Sequence, residues 1–410
     1  MRKMTQLIYF LRFFGTGVII PVLSLLLLSR GATIETVSLF VGIYSVTVIA
    51  AEFPSGVFAD VYGRKNAFLL SAILSFTSYS ILLLSRSVPL LLCGMVIHGL
   101  SRAVTRSSET SSSFAWSIIN ASMLPEANAR LSILESAGYA GGALAGGLLA
   151  EAGPRFSGNL GTNIAISALL IVLTAVFVRE LPREKPKHAG KTHLQLFGAS
   201  VKESFVFARQ AGMVRILLVL CLLAGFVLNS VETYWQPALS AFQTSYWVFG
   251  VVSFAVFGCV IIGSWLAEKL LRRYQEAGVG LLLLLKAPLA IGLIVFSLVA
   301  SEFGIIGVYL ALYLLIGSGS VVENTFLNRI APASHRASIL SLFSLLLQLG
   351  GVAASIAGYF ISTYWRFQNI WLLSGILLLT FTAVSALLRK RAAMPAAPVS
   401  EQTSDVRQNA

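Results

Sequence analysis

Eight ionisable side chains fall inside long apolar stretches of this chain: Arg12, Glu52, His98, Arg102, Arg106, Glu232, Lys286 and Glu323. A charge held among hydrocarbon groups is costly, so it pairs with an opposite charge or faces a polar cavity. Three kinds of chemistry are open to such groups: a switchable ion pair, recognition of a charged ligand, and uptake and release of a proton. Glu52, near Pro54, and Glu232 suit proton carriage, with a structural salt bridge as the plain alternative for each. His98, Arg102 and Arg106 recur every four residues and share one face of a helix, and Glu109 can pair with Arg106. His98 reads more simply as a packing residue, and Arg106 and Glu109 as snorkelling groups. Arg102 and Glu323 are expected to meet between the two halves of the chain and close a gate. Lys286 has no evident partner.

A second cluster lies in the segment Gly56 to Lys65, set between two apolar runs. Gly56 is expected to let its helix approach a neighbour closely, and Gly63 to permit a tight turn. Asp60, at a helix end, can face the positive N-terminus of another helix. Arg64 and Lys65 can pair with Asp60 or with lipid phosphate, or serve only as topological anchors. A third cluster, Gly138, Gly142, Gly146 and Gly147 with Gly141, gives one helix a face for close packing.

The elements that hold these residues follow from composition. Of the 410 residues, 56% are hydrophobic and 11% charged, against about 25% charged in a soluble domain. The apolar runs are continuous rather than alternating, which predicts membrane helices and not barrel strands. Twelve spans are predicted, at about 7–29, 36–58, 66–85, 88–108, 131–151, 160–178, 214–236, 246–267, 278–300, 304–323, 338–362 and 368–388. The first run is too long for a signal peptide and stays as a helix.

The net charge of +13 is distributed by loop rather than gathered in a nucleic-acid-binding domain. Arg64 and Lys65, Arg130, the stretch from Arg179 to Arg215, Lys269 with Arg272 and Arg273, and Arg329 with Arg336 fall in alternate loops; the others hold only Arg30, Arg86, Arg155 and Arg366. The positive-inside rule then places both termini in the cytoplasm and the protein in the cell membrane, with acidic lipid as partner for the basic loops.

The halves repeat. Arg130 to Leu134 (RLSIL) matches Arg336 to Leu340 (RASIL), 206 residues on; Asp60, Arg64 and Lys65 match Glu268, Arg272 and Arg273, 208 residues on. This predicts an all-α membrane protein of two parallel, pseudo-symmetric six-helix bundles, 1–178 and 214–391. A cytoplasmic linker, 179–213, joins them, and a disordered tail, 392–410, follows. Leu194, Phe197, Val201 and Phe205 in the linker have the spacing of a surface-lying amphipathic helix, or belong to a solvated connection.

No phosphate loop, metal-spaced His/Cys group or catalytic triad is present, so neither an enzyme nor a cofactor or metal is expected. Cys93, Cys221 and Cys259 lie in apolar runs and read as small buried hydrophobes.

On Gly56, Asp60, Gly63, Arg64 and Lys65, together with twelve spans, the chain resembles the major facilitator superfamily over nearly its whole length. Glu52-Phe-Pro54-Ser-Gly56 is similar to a branch reading Glu-x-Pro-x-Gly. Gly142 to Gly147 is similar to a motif of drug:proton antiporters, with Ala143 where those carry proline. The resemblance implies that helices one, four, seven and ten line a central cavity. It also implies that Asp60 faces helix eleven, starting near Ala337, and that its contacts lock one mouth. The expected function is a monomeric secondary transporter of a small organic molecule, with proton-coupled, multidrug-like export as the first choice. Phe10, Phe13, Phe14, Tyr234 and Trp235 suit a loosely selective pocket. A proton-linked carrier of a metabolite or organic anion, held by Arg12 and Arg102, is the second, and a non-transporting membrane sensor the third.

Overall fold

A computed structural model describes residues 2–109, 124–178, 212–273, 278–330 and 336–391. The amphipathic stretch 194–205, nearly all of the predicted linker, the tail and the side chains of Arg106 and Glu109 lie outside the described residues. Thirteen α-helices run through the described residues: α1 Arg2–Ile19, α2 Leu23–Ser29, α3 Ile34–Tyr62, α4 Arg64–Leu84, α5 Val88–Glu109, α6 Leu124–Glu151, α7 Ser157–Phe177, α8 Gly212–Ser240, α9 Tyr246–Arg273, α10 Gly278–Leu298, α11 Glu302–Ile330, α12 Arg336–Tyr364 and α13 Asn369–Arg391. Among the described residues there is no strand. Helix is what a lipid-embedded backbone requires, since it satisfies its own N–H and C=O groups.

Two junctions differ in detail from the sequence expectation. The first span is not one helix: α1 and α2 are separated by a 3-10 turn over Ile20–Val22, at Pro21. Proline has no N–H to donate into the helical ladder, so the ladder breaks there. Between α3 and α4 the break is one residue wide. Gly63, at φ 91 and ψ 159, caps α3 and opens α4. A side chain would strain that backbone, and glycine relieves it.

Among the described residues, eleven spans are long and apolar enough to cross a membrane. They account for every long helix but α6, which has 28 residues. Its glycines, with Glu135 and Glu151, dilute its apolar character, so the predicted twelfth span does not stand out by composition.

Helix α1 packs on α6 and α7, α3 on α5, and α4 on α5 and α7. The same pattern recurs later in the chain: α8 packs on α12 and α13, α9 on α11, and α10 on α11 and α13. Across the two sets, α3 packs on α12 and α6 on α9. Small residues allow the closest of these approaches, because lipid gives helices little hydrophobic reason to associate. A Cβ at Gly142 would collide with the backbone of Phe14 and Gly17 on α1, and one at Gly147 would come 2.7 Å from Gly250 Cα on α9. The C-terminal set makes approaches as close, with Gly225 against the backbone of Leu347 and Gly350 against that of Leu222, and adds stacked aromatics: Trp235 on Tyr309 at 4.5 Å, and Phe296 on Trp371 at 3.9 Å between ring centroids.

Candidate functional site

Gln236 of α8 bonds across the two helix sets. Its Oε1 accepts from the backbone N–H of Ser24 at 2.9 Å, and its Nε2 donates to the backbone C=O of Ile20 at 2.8 Å. In an unbroken helix the Ser24 N–H would bond the Ile20 C=O. Pro21 opens that ladder, and the carboxamide fills the gap. The backbone polarity fixes which end of the amide faces which group. Ser24 Oγ adds a bond to the Thr233 carbonyl at 2.8 Å. Nearby, Glu151 at the end of α6 accepts from the Tyr246 N–H at the start of α9, at 2.7 Å. These bonds shut the end of the bundle where α2 turns into α3.

One helical turn before Gln236, on the same face of α8, stands Glu232. Tyr309 of α11 donates to its Oε1 at 3.2 Å, and no ion pair to Glu232 occurs among the described residues. Trp235 stacks on that same tyrosine. An acid in aromatic surroundings, with a phenol for partner, sits directly beside the seal.

Further along the contact, Ser38 of α3 donates to the Ser355 carbonyl of α12 at 2.8 Å, and Ser355 Oγ donates to Asn229 Oδ1 at 3.2 Å. Nearer the Asp60 end, Gln348 of α12 donates to Glu52 Oε2 at 3.0 Å. Glu52 is thereby tied across the two helix sets, unlike Glu232. Beyond it, α5 and α11 share no packing interface among the described residues.

Arg12 is buried, with 8% of its surface exposed. Its guanidinium donates to Thr105 at 2.7 Å and Ser75 at 3.3 Å, and Ser75 shares a 2.6 Å bond with Ser101. Arg12 therefore engages the hydroxyls between α1, α4 and α5. His98 lies between the rings of Tyr44 and Tyr79, each at 5.3 Å, with a buried Nδ1 that has no hydrogen-bond partner.

The expected meeting of Arg102 with Glu323 is not made in this conformation. Glu323 pairs instead with Lys286 of α10, Oε1 to Nζ 2.6 Å, inside the C-terminal set. The short contact between α10 and α11 puts that lysine within reach, and this explains a charge that the sequence alone left without a partner.

The sequence profile of the Major Facilitator Superfamily matches residues 6–325. The chain belongs to that superfamily. As a member it is a multi-pass membrane transporter rather than an enzyme. No curated protein matches it in sequence. Solved structures share its fold at low identity. The nucleoside transporter NupG matches at 15% identity and TM-score 0.77, over 94% of this chain and 98% of its own. A POT family transporter in complex with 5-aminolevulinic acid matches at 12% and 0.73, over 95% and 96%. A bacterial homologue of the human lysosomal transporter Spinster, in an inward-facing and unoccupied conformation, matches at 16% and 0.71, over 96% and 98%.

The loop that carried the superfamily resemblance is placed as follows. Asp60 is exposed, and Arg64 lies across Gly63 from it, close enough for attraction. Lys65 donates to the Ala175 carbonyl at 3.0 Å, in the last turn of α7, where a cation meets the negative end of a helix. Gly56 departs from expectation: nothing lies within 4 Å of where its Cβ would be, so this conformation has no close approach there. The corresponding Glu268 and Arg272 pair at 2.7 Å within a continuous, exposed turn of α9. That pair contributes little by itself.

Sequence reasoning missed Gln236, Tyr309 and Gln348. Pro21 inside a predicted span was the available signal for Gln236, since a broken ladder needs a polar partner. Tyr309 and Gln348 gave no comparable signal.

Proposed function

We propose that this superfamily member is a secondary active transporter that exports a small amphipathic organic molecule across the cell membrane in exchange for protons. It comprises two six-helix bundles, 1–178 and 214–391, rocking about the α3–α12 and α6–α9 contacts, with α6 as the twelfth span and both termini cytoplasmic. The duplicated packing pattern and the alternation of basic loops support this arrangement. So does the seal at Gln236, which is what a carrier resting with its outer mouth shut requires.

The observation that carries the coupling is the position of Glu232 beside Gln236. Placing or removing a proton there changes the charge one turn from the bonds that close the mouth, and so changes which conformation is favoured. Glu52 is the secondary candidate. Arg12, engaged with Ser75 and Thr105, is drawn away from the role of anion holder, which favours a neutral or cationic substrate over an organic anion.

The test uses the purified protein in proteoliposomes with ethidium, an amphipathic cation, as probe. A pH gradient is expected to drive ethidium accumulation in the wild type. Glu232→Gln should lose gradient-driven accumulation while keeping ethidium exchange. Gradient-driven accumulation by Glu232→Gln at the wild-type rate would overturn the assignment of Glu232.

A further inference from the structure

The C-terminal helices enclose a cavity of about 340 Å³, within the range of about 300–1,000 Å³ typical of small-molecule sites. It lies between α8, α10, α11, α12 and α13, apart from the seal at Gln236. Leu217, Phe343 and Leu347 give it apolar walls. Ser320 and Asn324 add neutral polar groups, and among the described residues the Lys286–Glu323 pair supplies its charges.

The pair is asymmetric. Lys286 is 6% exposed and Glu323 22%. Both groups line the cavity, the ammonium against Oε1 and the carboxylate the more exposed of the two. The charges cancel in sum, yet the more accessible of them is the carboxylate, whereas an anion has to reach the more deeply buried ammonium. A hydrogen-bond donor, above all an ammonium group, meets an acceptor already oriented by Lys286, and charge-assisted bonds of this kind are the strong ones. Apolar walls next to that acceptor fit the remainder of an amphipathic molecule.

We propose that this cavity is a binding subsite for small amphipathic amines, with Glu323 receiving the ammonium group and Lys286 positioning Glu323. This deepens the transporter reading above and rests on it for the substrate's passage, though binding is tested separately from flux.

Cys221 provides the readout, since it lines the same cavity, its Sγ donating to the Phe343 carbonyl at 3.1 Å. In protein carrying Cys93→Ser and Cys259→Ser, the rate of Cys221 alkylation by N-ethylmaleimide is measured with three probes of matched shape: 2-phenylethylammonium, 2-phenylethanol and phenylacetate. The cation is expected to protect Cys221 at a concentration about tenfold lower than the alcohol, and phenylacetate least. Glu323→Gln should abolish that order, Glu323→Asp should keep it, and Lys286→Met, which removes the group that positions Glu323, should weaken it. Retention of the order by Glu323→Gln, an undiminished order in Lys286→Met, equal protection by all three probes, or no protection would each overturn the subsite. Gradient-driven ethidium flux without charge-ranked protection would overturn the subsite alone. Charge-ranked protection without flux would overturn the transport reading alone.

Discussion

The side chain of Gln236 on α8 repairs the helix of Ser24: its carboxamide accepts from the Ser24 N–H and donates to the Ile20 carbonyl, standing where a backbone bond would be. A proline-broken span in one half of the chain is thus completed by a residue 212 positions away in the other. The mouth at this end cannot open without leaving two backbone groups unpaired or giving them to water.

The strength of that latch is measurable. Gln236→Ala removes two hydrogen bonds of about 1 kcal/mol each, a shift of roughly thirtyfold toward the open mouth. The reporter is Ser24→Cys in a background without native cysteines, labelled by a membrane-impermeant maleimide. Its labelling should accelerate by about that factor when Gln236 is replaced, and an unchanged rate would show that the mouth is held shut elsewhere.

Asp60 tests the loop. Asp60→Asn is expected to abolish ethidium transport while leaving the thermal unfolding temperature near that of the wild type, because the residue is exposed here. Full transport by this variant would remove the loop from the gating mechanism.

The Lys286–Glu323 pair tests the core of the C-terminal helices. Removing one partner of a buried pair strands the other charge, at a cost of about 3–5 kcal/mol, whereas removing both costs much less. Lys286→Met alone should therefore lower the unfolding temperature more than Lys286→Met with Glu323→Leu. Additive losses would mean that the two groups do not depend on each other.

Two glycines should behave oppositely. Gly142→Ala places a methyl against the backbone of Phe14 and Gly17. Forced separation of α1 and α6 should cost about 1–3 kcal/mol, read as a lower unfolding temperature. Gly56→Ala meets nothing within 4 Å and gains helix propensity, so it should unfold no earlier than the wild type. If it nevertheless stops transport, the close approach at Gly56 belongs to the conformation open at the other mouth.

What was legible in the sequence followed from forces that act locally. Lipid demands helices, so the spans could be read from apolar runs, and the turn at Gly63 from a glycine between two of them. The family loop, with its fixed residues and spacing, led to the superfamily. The dilute α6 shows where this logic thins: its glycines serve contact with α1 and α9, and contact is not an apolar signal. The charges inside the spans were visible, but their partners were not. Helical spacing places residues on a face without saying which helix lies opposite. Glu323 was therefore matched to Arg102 across the molecule, when Lys286 on the adjacent α10 was within 2.6 Å. Gln236 escaped notice for a related reason. Its function depends on a break made by Pro21 in a distant helix, and only the fold puts the two together.

In the coupling proposed for this transporter, a proton at Glu232 decides which mouth is open. Distances between spin labels measure this most directly, in protein without native cysteines, reconstituted in nanodiscs. One pair, Arg86→Cys with Phe303→Cys, reports the end closed by Gln236; the other, Asn66→Cys with Arg273→Cys, reports the Asp60 end, and all four positions are exposed. Lowering the pH, or substituting Glu232→Gln at constant pH, should lengthen one distance and shorten the other. Distances that stay fixed, or that change in the same direction at both ends, would contradict the account.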